Sequence, residues 1–339
     1  KLYKIKMLLT KLNYIEDSFQ KSIIDYQQQY KSKHWRFYNN KKIKLLNKKF
    51  IKDFRKNDLH LNLDDKSQNI ENLLSFFNQI VKKVGKNFVE QNLDINNVGN
   101  NQHYFKFKNF FVDFNLLHAI NFLYEIATNI NLKKNMTICE IGGGYGHLSK
   151  LLIKNFKSKI LLIDLPETNY LSSYYLMENF KDLKFLLYSN IKSDYVDSDI
   201  INKYDVIIVP PWVKIQNIQL DLFINIRSMM EMNLETINDY FNLIQKSTKK
   251  EGYFVNINRY LKNTVGYEVK LAGYPYDNCW SVLSSKKSEF QPHIHQLITK
   301  RTEKNDLSIS KELTAIENFT KKNRKFVLAG KKDLYKDSY

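Results

Sequence analysis

The chain has 339 residues, more than the ~250–300 at which a single core stops growing, so one large domain with an accessory region is expected. Its 43% hydrophobic content excludes a disordered chain, and its two cysteines, Cys139 and Cys279, exclude a disulfide framework. Fifty-three Lys and Arg against 35 Asp and Glu give +18, a balance that suits nucleic acid, a phosphorylated substrate or peripheral contact with an anionic membrane, but the lysines form no single tract.

Abundant Lys, Asn, Ile, Tyr and Phe together are what an AT-rich genome produces, so the charge alone marks no polyanion surface. No apolar run reaches the ~18 residues of a membrane span, and the N-terminus lacks a signal-peptide apolar region. Cytoplasm is the expected compartment. The chain starts on Lys1 rather than Met, as a piece of something longer does.

Residues 1–100 read as a helical accessory region, with Ile70, Leu73, Leu74, Phe77, Ile80 and Val81 as one apolar stripe. The basic aromatic clusters at 33–38 and 50–55 suit either substrate contact or packing, and the acidic pair in 59–65 reads as a solvated turn rather than a metal site. An Asn-rich break with Gly99 marks the boundary near 101. Residues 110–130 then carry a long amphipathic helix, in which His118 reads as a core histidine.

The chain is organised around residues 137–154, TICEIGGGYGHLSKLLIK. An apolar, β-rich run enters three alternate glycines, and Leu148, Leu151 and Leu152 follow at helical spacing, so a strand feeds a helix through a tight turn. Such a loop brings its backbone close to a ligand beside the positive end of a helix dipole. The dinucleotide fingerprint G-x-G-x-x-G, counted from Gly142, needs a glycine where His147 stands. The pattern is instead E-x-G-x-G-x-G from Glu140 to Gly146, which resembles the first motif of class I S-adenosylmethionine-dependent methyltransferases. Residues 159–164, KILLID, supply the acidic residue expected at the end of the next strand. Glu140, Gly142, Gly144, Tyr145, Gly146, Asp164 and Leu165 are therefore the candidate cofactor residues, with Asp164 on the ribose hydroxyls.

Beyond a helix at about 169–180 comes a strand at 183–188, followed by Ser189 and Asn190, candidates for the adenine edge because ligands of open α/β sheets sit beyond the strand carboxyl ends. Further strands at 204–209, 220–226 and 252–259 alternate with helices. The fold class is α/β: a Rossmann-like, doubly wound, mostly parallel sheet with helices on both faces. The stretch Val209-Pro210-Pro211-Trp212 matches the Pro-Pro-aromatic turn of amino-group methyltransferases, but Val209 stands where those enzymes need a polar acceptor. Specific methylation of nucleic acid is thus the alternative, and Trp212 suits stacking on a sugar face or core packing equally.

Near the C-terminus, Tyr274-Pro275-Tyr276-Asp277 is a turn beside aromatics, suited to a sugar-sized ligand. His293 and His295 lie two apart, a spacing that places them on one face of a strand, unlike the wider spacing of zinc-binding pairs on a helix, and no metal is expected. Residues 306–339 read as a charged extension, a helix followed by a strand-like FVLAG.

Together these stretches resemble the sugar O-methyltransferases, S-adenosylmethionine-dependent enzymes linked to cell-surface polysaccharide gene clusters. The similarity includes Asp53-Phe54-Arg55, residues 140–146, Asp164-Leu165-Pro166-Glu167, Asn225 with Ser228-Met229-Met230-Glu231-Met232, Asn258-Arg259, Tyr274-Pro275-Tyr276-Asp277, and His295 with Leu297. It implies a catalytic domain over 101–305 and methyl transfer to a hydroxyl of a nucleotide-, phosphate- or lipid-linked sugar. Asn225 joins the cofactor residues, while Trp212, Arg259, Tyr274, Tyr276, Asp277 and His293 become the substrate candidates. A poorly acidic alcohol needs a base. Glu231 is expected to begin a helix at the carboxyl edge of the sheet, among methionines that raise its pKa; His295 competes with it, having a suitable ordinary pKa. A cofactor-binding scaffold without turnover is the third possibility.

Overall fold

The structure, a computed structural model, describes residues 2–26, 46–56, 69–263 and 266–328. The sequence features at 33–38 and 59–65 and the tail after Leu328 lie outside the described residues. The N-terminal region contains α1 (Leu2–Ile24), α2 (Ile70–Val84) and α3 (Lys86–Asn92), and Gly85, at φ +88°, turns the chain between the last two. Asn69 caps α2 by accepting the Asn72 N–H at 2.9 Å.

The buried stripe of α2 is Leu73, Phe76, Phe77, Ile80 and Val84, whereas Ile70 and Leu74 are 55% and 41% exposed, so the stripe is rotated from the expected one. It faces an antiparallel hairpin, β1 (Phe105–Phe107) with β2 (Phe110–Val112), and the helix α4 (Phe114–Asn129). Phe77 packs on Phe105 and Phe107, and Phe76 on Phe114 and His118, which rests among aromatic rings. The hairpin displaces the first turn of the expected 110–130 helix. Asp113 sets the start instead, accepting the Leu116 N–H at 3.0 Å.

Residues 137–259 then alternate strand and helix: β3 (Thr137–Ile141), α5 (His147–Phe156), β4 (Lys159–Ile163), α6 (Pro166–Asn179), β5 (Phe185–Leu187), β6 (Tyr195–Val196), α7 (Ser198–Lys203), β7 (Val206–Val209), β8 (Lys214–Ile215), β9 (Leu220–Ile226), α8 (Leu234–Ser247) and β10 (Thr248–Arg259). After it come β11 (Leu261–Lys262), β12 (Val269–Lys270), β13 (Trp280–Lys287), β14 (Ile294–Arg301), α9 (Ser308–Lys322) and α10 (Arg324–Leu328). The main sheet has eight strands in the order β13-β14-β10-β9-β3-β4-β7-β5. All its pairings are parallel except β10 with β14 and β13 with β14. This is the doubly wound α/β architecture expected. From β3 the chain adds strands first on the β4 side and then on the β9 side, so the order reverses between β3 and β9, where such sheets bind ligands.

Side chains alternate between the two faces. Ile138, Leu162, Leu222, Ile224 and Ile257 join a core with α4, α5, α6 and the N-terminal helices. Cys139, Ile163, Val209, Phe223 and Phe254 join a second core with α8 and α9. Burial on both faces is why these strands read as uninterrupted apolar runs. Each fully buried Leu or Ile contributes about 1.5–3 kcal/mol.

Two local expectations are corrected. Residues 326–328 end the helix α10 instead of forming a strand, and residues 228–232 do not open an α-helix. The latter form a single 3-10 turn, Met229–Glu231, because Asn233 caps the following helix by accepting the Thr236 N–H at 2.6 Å. No helix among the described residues is long and apolar enough to cross a membrane.

Candidate functional site

The glycine loop connects β3 to α5 at the point where strand order reverses. Gly142, at φ +71°, donates its N–H to the Ile163 carbonyl at 2.8 Å, tying the loop to β4. A Cβ on Gly142 would lie 1.8 Å from Ser228 Oγ, so only glycine lets the loop after β9 close over it. Gly144, at φ +59°, differs: a Cβ there would meet nothing within 4 Å, and its backbone faces open space. A Cβ on Gly146 would press on Leu176 of α6 at 3.1 Å, so that position serves helix packing.

Carboxyl groups line this loop. Asp164, one residue past β4, accepts the Gly144 N–H at 3.0 Å with one oxygen and the Leu165 N–H at 2.7 Å with the other. Glu140 is buried under the loop and accepts the Ser149 hydroxyl of α5. Burial pushes Asp164 up to about 7, opposed by its two backbone donors and reinforced by Glu167. Burial likewise pushes Glu140 up to about 7, with repulsion from Asp164 adding to it. Two acids that resist ionising side by side favour a cationic ligand, whose charge would relieve them.

Ser189 and Asn190 lie in a 3-10 turn, Tyr188–Asn190, beneath α1. The Ser189 N–H donates to Ser18 at 3.4 Å, and the Leu187 N–H donates to the Tyr14 hydroxyl at 2.7 Å. Between α1 and the strand ends lies a narrow crevice, lined by Ser18, Ser22, Pro166, Tyr170, Tyr188 and Pro210 among others. Trp212 borders the same corner, donating its ring N–H to the Tyr188 hydroxyl at 3.3 Å and meeting Tyr26 edge-on.

On the other side of the loop, Asn225 is fully buried at the end of β9. It donates to the Ile141 carbonyl at 2.9 Å and accepts the Met229 N–H at 3.0 Å, locking β9 to β3 and fixing the turn that follows. Asn258 donates to Asn225 and to Asn256, and Asn256 donates to the Tyr276 hydroxyl at 2.9 Å, a buried amide ladder across β9 and β10. Met230 N–H donates to Asn258 at 3.3 Å, so the ladder also holds the Met229–Glu231 turn. Glu231 forms an ion pair with Lys262 of β11. Arg227 and Arg259 both stand close enough to Lys262 to repel it, and Arg259 is also attracted by Glu231.

Several expected site residues stand elsewhere. The Tyr145 ring turns into the core against Phe54 and Tyr175, and its hydroxyl meets His147 Nδ1 at 3.1 Å, leaving only its backbone to the loop. Phe54 and Arg55 thereby acquire a structural reading. Arg55 is buried in an ion pair with Asp113 at 2.7 Å, lies over the Tyr145 ring, and so braces the loop from behind.

His295 sits at the carboxyl edge but is enclosed. Its Nε2 meets Ser285 Oγ at 2.7 Å and its Nδ1 meets the Tyr260 hydroxyl at 2.9 Å, while Ser285 donates to Glu312 at 2.6 Å. Burial pushes it down to about 4. The His293 carbonyl accepts the Tyr260 N–H at 3.2 Å in the loop before β14.

Tyr274, Tyr276 and Asp277 are not brought to the glycine loop. Asp277 pairs with Arg301 at 2.5 Å and donates its backbone N–H to Gln245 Oε1 at 2.6 Å, near the amino ends of the parallel strands. Tyr274 is buried against Phe241, and Tyr276 packs on Phe241 and Phe254. The residues absent from the expected set are Ser228 as the cover of Gly142, Asn256 and Asn258 as the ladder, and Lys262 as the partner of Glu231. Asn258 stood inside a recognised stretch, whereas nothing local signals Lys262. Among the described residues no group of three or more His, Cys, Asp or Glu side chains is arranged to hold a metal ion.

No protein-family model matches the chain, and no curated protein matches it. Solved structures do share its fold pattern at low similarity. A candidate sarcosine dimethylglycine methyltransferase from Galdieria sulphuraria matches with 9% identity and TM-score 0.40, over 56% of this chain and 86% of that one. An O-methyltransferase family 2 protein from Planctomyces limnophilus, in complex with apigenin, matches with 9% identity and TM-score 0.36 over 55% of this chain, which spans 58% of that protein. A mutant of MtNAS in complex with S-adenosylmethionine matches with 9% identity and TM-score 0.37, over 73% of this chain and 89% of that one. At such scores the likenesses carry no argument.

Proposed function

We propose that the protein is an S-adenosylmethionine-dependent methyltransferase acting on a sugar hydroxyl of a cell-surface glycan or of its nucleotide-, phosphate- or lipid-linked precursor. The observation that carries the reading is the pairing of an open Gly144 backbone with Asp164 at the reversal of strand order. When bound, S-adenosylmethionine supplies an electrophilic methyl group on a cationic sulfur. The site suits it, because open space faces Gly144 while Glu140 and Asp164, both pushed up to about 7, gain from a nearby cation.

In this reading the loop backbone holds the amino-acid end, Asp164 takes the ribose hydroxyls, and Ser189 and Asn190 after β5 meet the edge of the base. Leu165 and Asn225 support them from the strand ends. Orientation of an acceptor hydroxyl in line with the methyl group supplies about 7–11 kcal/mol of the barrier. Glu231, held by Lys262 beside Ser228, accepts the hydroxyl proton. His295 is disfavoured as the base because both ring nitrogens are engaged and burial holds it neutral.

Specific methylation of RNA or DNA is disfavoured by Val209, buried and without an acceptor at the position those enzymes use. Mass spectrometry of surface glycans from matched wild-type and deletion strains tests the reading. Loss of a methyl group from one sugar in the deletion strain supports it, and identical glycans contradict it.

A further inference from the structure

Lysines that form no tract in the sequence are gathered by the fold along one edge of the sheet. β3, β4, β7 and β5 are parallel neighbours, so the segments leading into them meet at their amino ends, opposite the glycine loop. The Asn135 N–H donates to the Phe156 carbonyl at 2.9 Å and the Lys159 N–H to the Met136 carbonyl at 3.0 Å, which ties the segment before β3 to the one before β4. The Ile160 N–H donates to the Asp205 carbonyl at 2.9 Å and the Asp205 N–H to the Lys184 carbonyl at 2.9 Å, which adds the segments before β7 and β5. With strands about 4.8 Å apart, the four segments span about 14 Å.

Residues 131–136, 157–158, 180–184 and 203–205 carry six exposed lysines, Lys133, Lys134, Lys157, Lys181, Lys184 and Lys203, against two acids, Asp182 and Asp205. Asp205 is already engaged, accepting the Lys184 N–H at 2.7 Å. Among the described residues none of the six lysines forms an ion pair. The rest of the same edge is neutralised, because Lys249, Lys250, Lys300 and Arg301 pair with Asp221, Glu303, Glu251 and Asp277. Helix stability does not account for the excess. A helix C-terminus attracts cations only around its last turn, and Lys133, Lys134 and Lys184 stand beyond the ends of α4 and α6.

The chemistry of the patch selects its partner. Phe156, Phe180 and Tyr204 on these segments pack against the two cores, so no ring is offered for base stacking, and no arginine is present for bidentate readout of a base. An exposed array of lysines, each a flexible point charge, matches the diffuse negative charge of lipid headgroups. We propose that this edge docks on an anionic membrane surface. Docked so, the glycine loop at the opposite ends of the same strands stays open to solvent. The contact is electrostatic, without an apolar face to insert, and is therefore reversible and weakened by salt.

The test is cosedimentation of the full chain with vesicles of phosphatidylcholine alone and of equal parts phosphatidylcholine and phosphatidylglycerol, at low and moderate salt, beside fluorescence anisotropy with duplex DNA and single-stranded RNA. Wild type should bind the anionic vesicles, ignore the neutral ones and lose affinity as salt rises. Each lysine near the surface is worth about fivefold in partitioning, so the triple variant Lys133→Gln, Lys157→Gln, Lys184→Gln should lose about a hundredfold. Lys134→Gln alone should lose about fivefold and keeps the test decisive if the triple variant fails to fold. The control triple variant Lys82→Gln, Lys311→Gln, Lys322→Gln removes the same charge from α2 and α9 and should stay within about twofold. Absence of binding to anionic vesicles, or an equal loss in the control variant, overturns the inference. Tighter binding of DNA or RNA at equal phosphate concentration overturns it too, and assigns the edge to nucleic acid.

Discussion

Asp164 accepts the Gly144 N–H at 3.0 Å, so the acidic residue at the end of the second strand of the motif fixes the glycine of the loop at which a Cβ would meet open space. Loop and carboxylate therefore form one unit, and their chemistry can be tested through either partner.

The loop tolerates no side chain at Gly142. Gly142→Ala combines a left-handed backbone with a Cβ 1.8 Å from Ser228 Oγ, and it should weaken cofactor binding at least tenfold and lower Tm. Ser228→Gly in the same protein should recover part of the loss, because the clash goes and the backbone strain stays. Calorimetry and thermal unfolding of both variants check this; a silent Gly142→Ala contradicts the closure of the two loops.

Apo-protein stability should depend on pH through the two raised carboxyls. Between about pH 4 and 7 the folded state holds protons on Glu140 and Asp164 that the unfolded chain has released, so their contribution is full at low pH and is lost as pH rises through about 7. His295, pushed down to about 4, acts in the opposite sense below about 6.5, since the unfolded chain protonates first. Asp164→Asn leaves the His295 contribution unchanged. Its Tm should therefore fall less between pH 5 and pH 8 than that of wild type, and equal falls would contradict the raised Asp164.

Arg55 and Asp113 are a buried pair that braces Tyr145. Arg55→Ala leaves a buried carboxylate without its cation and should destabilise by about 3–5 kcal/mol. Denaturant unfolding measures it. A loss under about 1 kcal/mol, the range of exposed pairs, would show that the N-terminal region is not held this way.

The base assignment predicts that Glu231→Gln lowers kcat by about 10² or more with cofactor affinity preserved. Normal turnover in Glu231→Gln with a dead His295→Ala reverses the two roles.

Strands β3, β4, β7 and β9 were legible because burial on both faces demands apolar runs, and the site's first half was legible because a glycine turn and a strand-ending acid are local features. The second half was not. Lys262 lies on a two-residue strand far along the chain from Glu231, and only the length of β10 brings them together. Asp277 reads as a binding turn in any sequence, since a Pro turn beside aromatics looks the same at either edge of a sheet; the pairing of Trp280 with Arg301 is what sends it to the amino edge. The β1–β2 hairpin was hidden because Phe105, Phe107, Phe110 and Phe111 also suit a helix face.

The central claim, a loop built for S-adenosylmethionine, is tested most directly by calorimetric titration of the protein with S-adenosylmethionine and with NAD, in wild type and Asp164→Ala. The account predicts binding of S-adenosylmethionine alone, weakened about tenfold or more in the variant by loss of a charge-assisted hydrogen bond. NAD binding in its place, or S-adenosylmethionine affinity indifferent to Asp164→Ala, would contradict it.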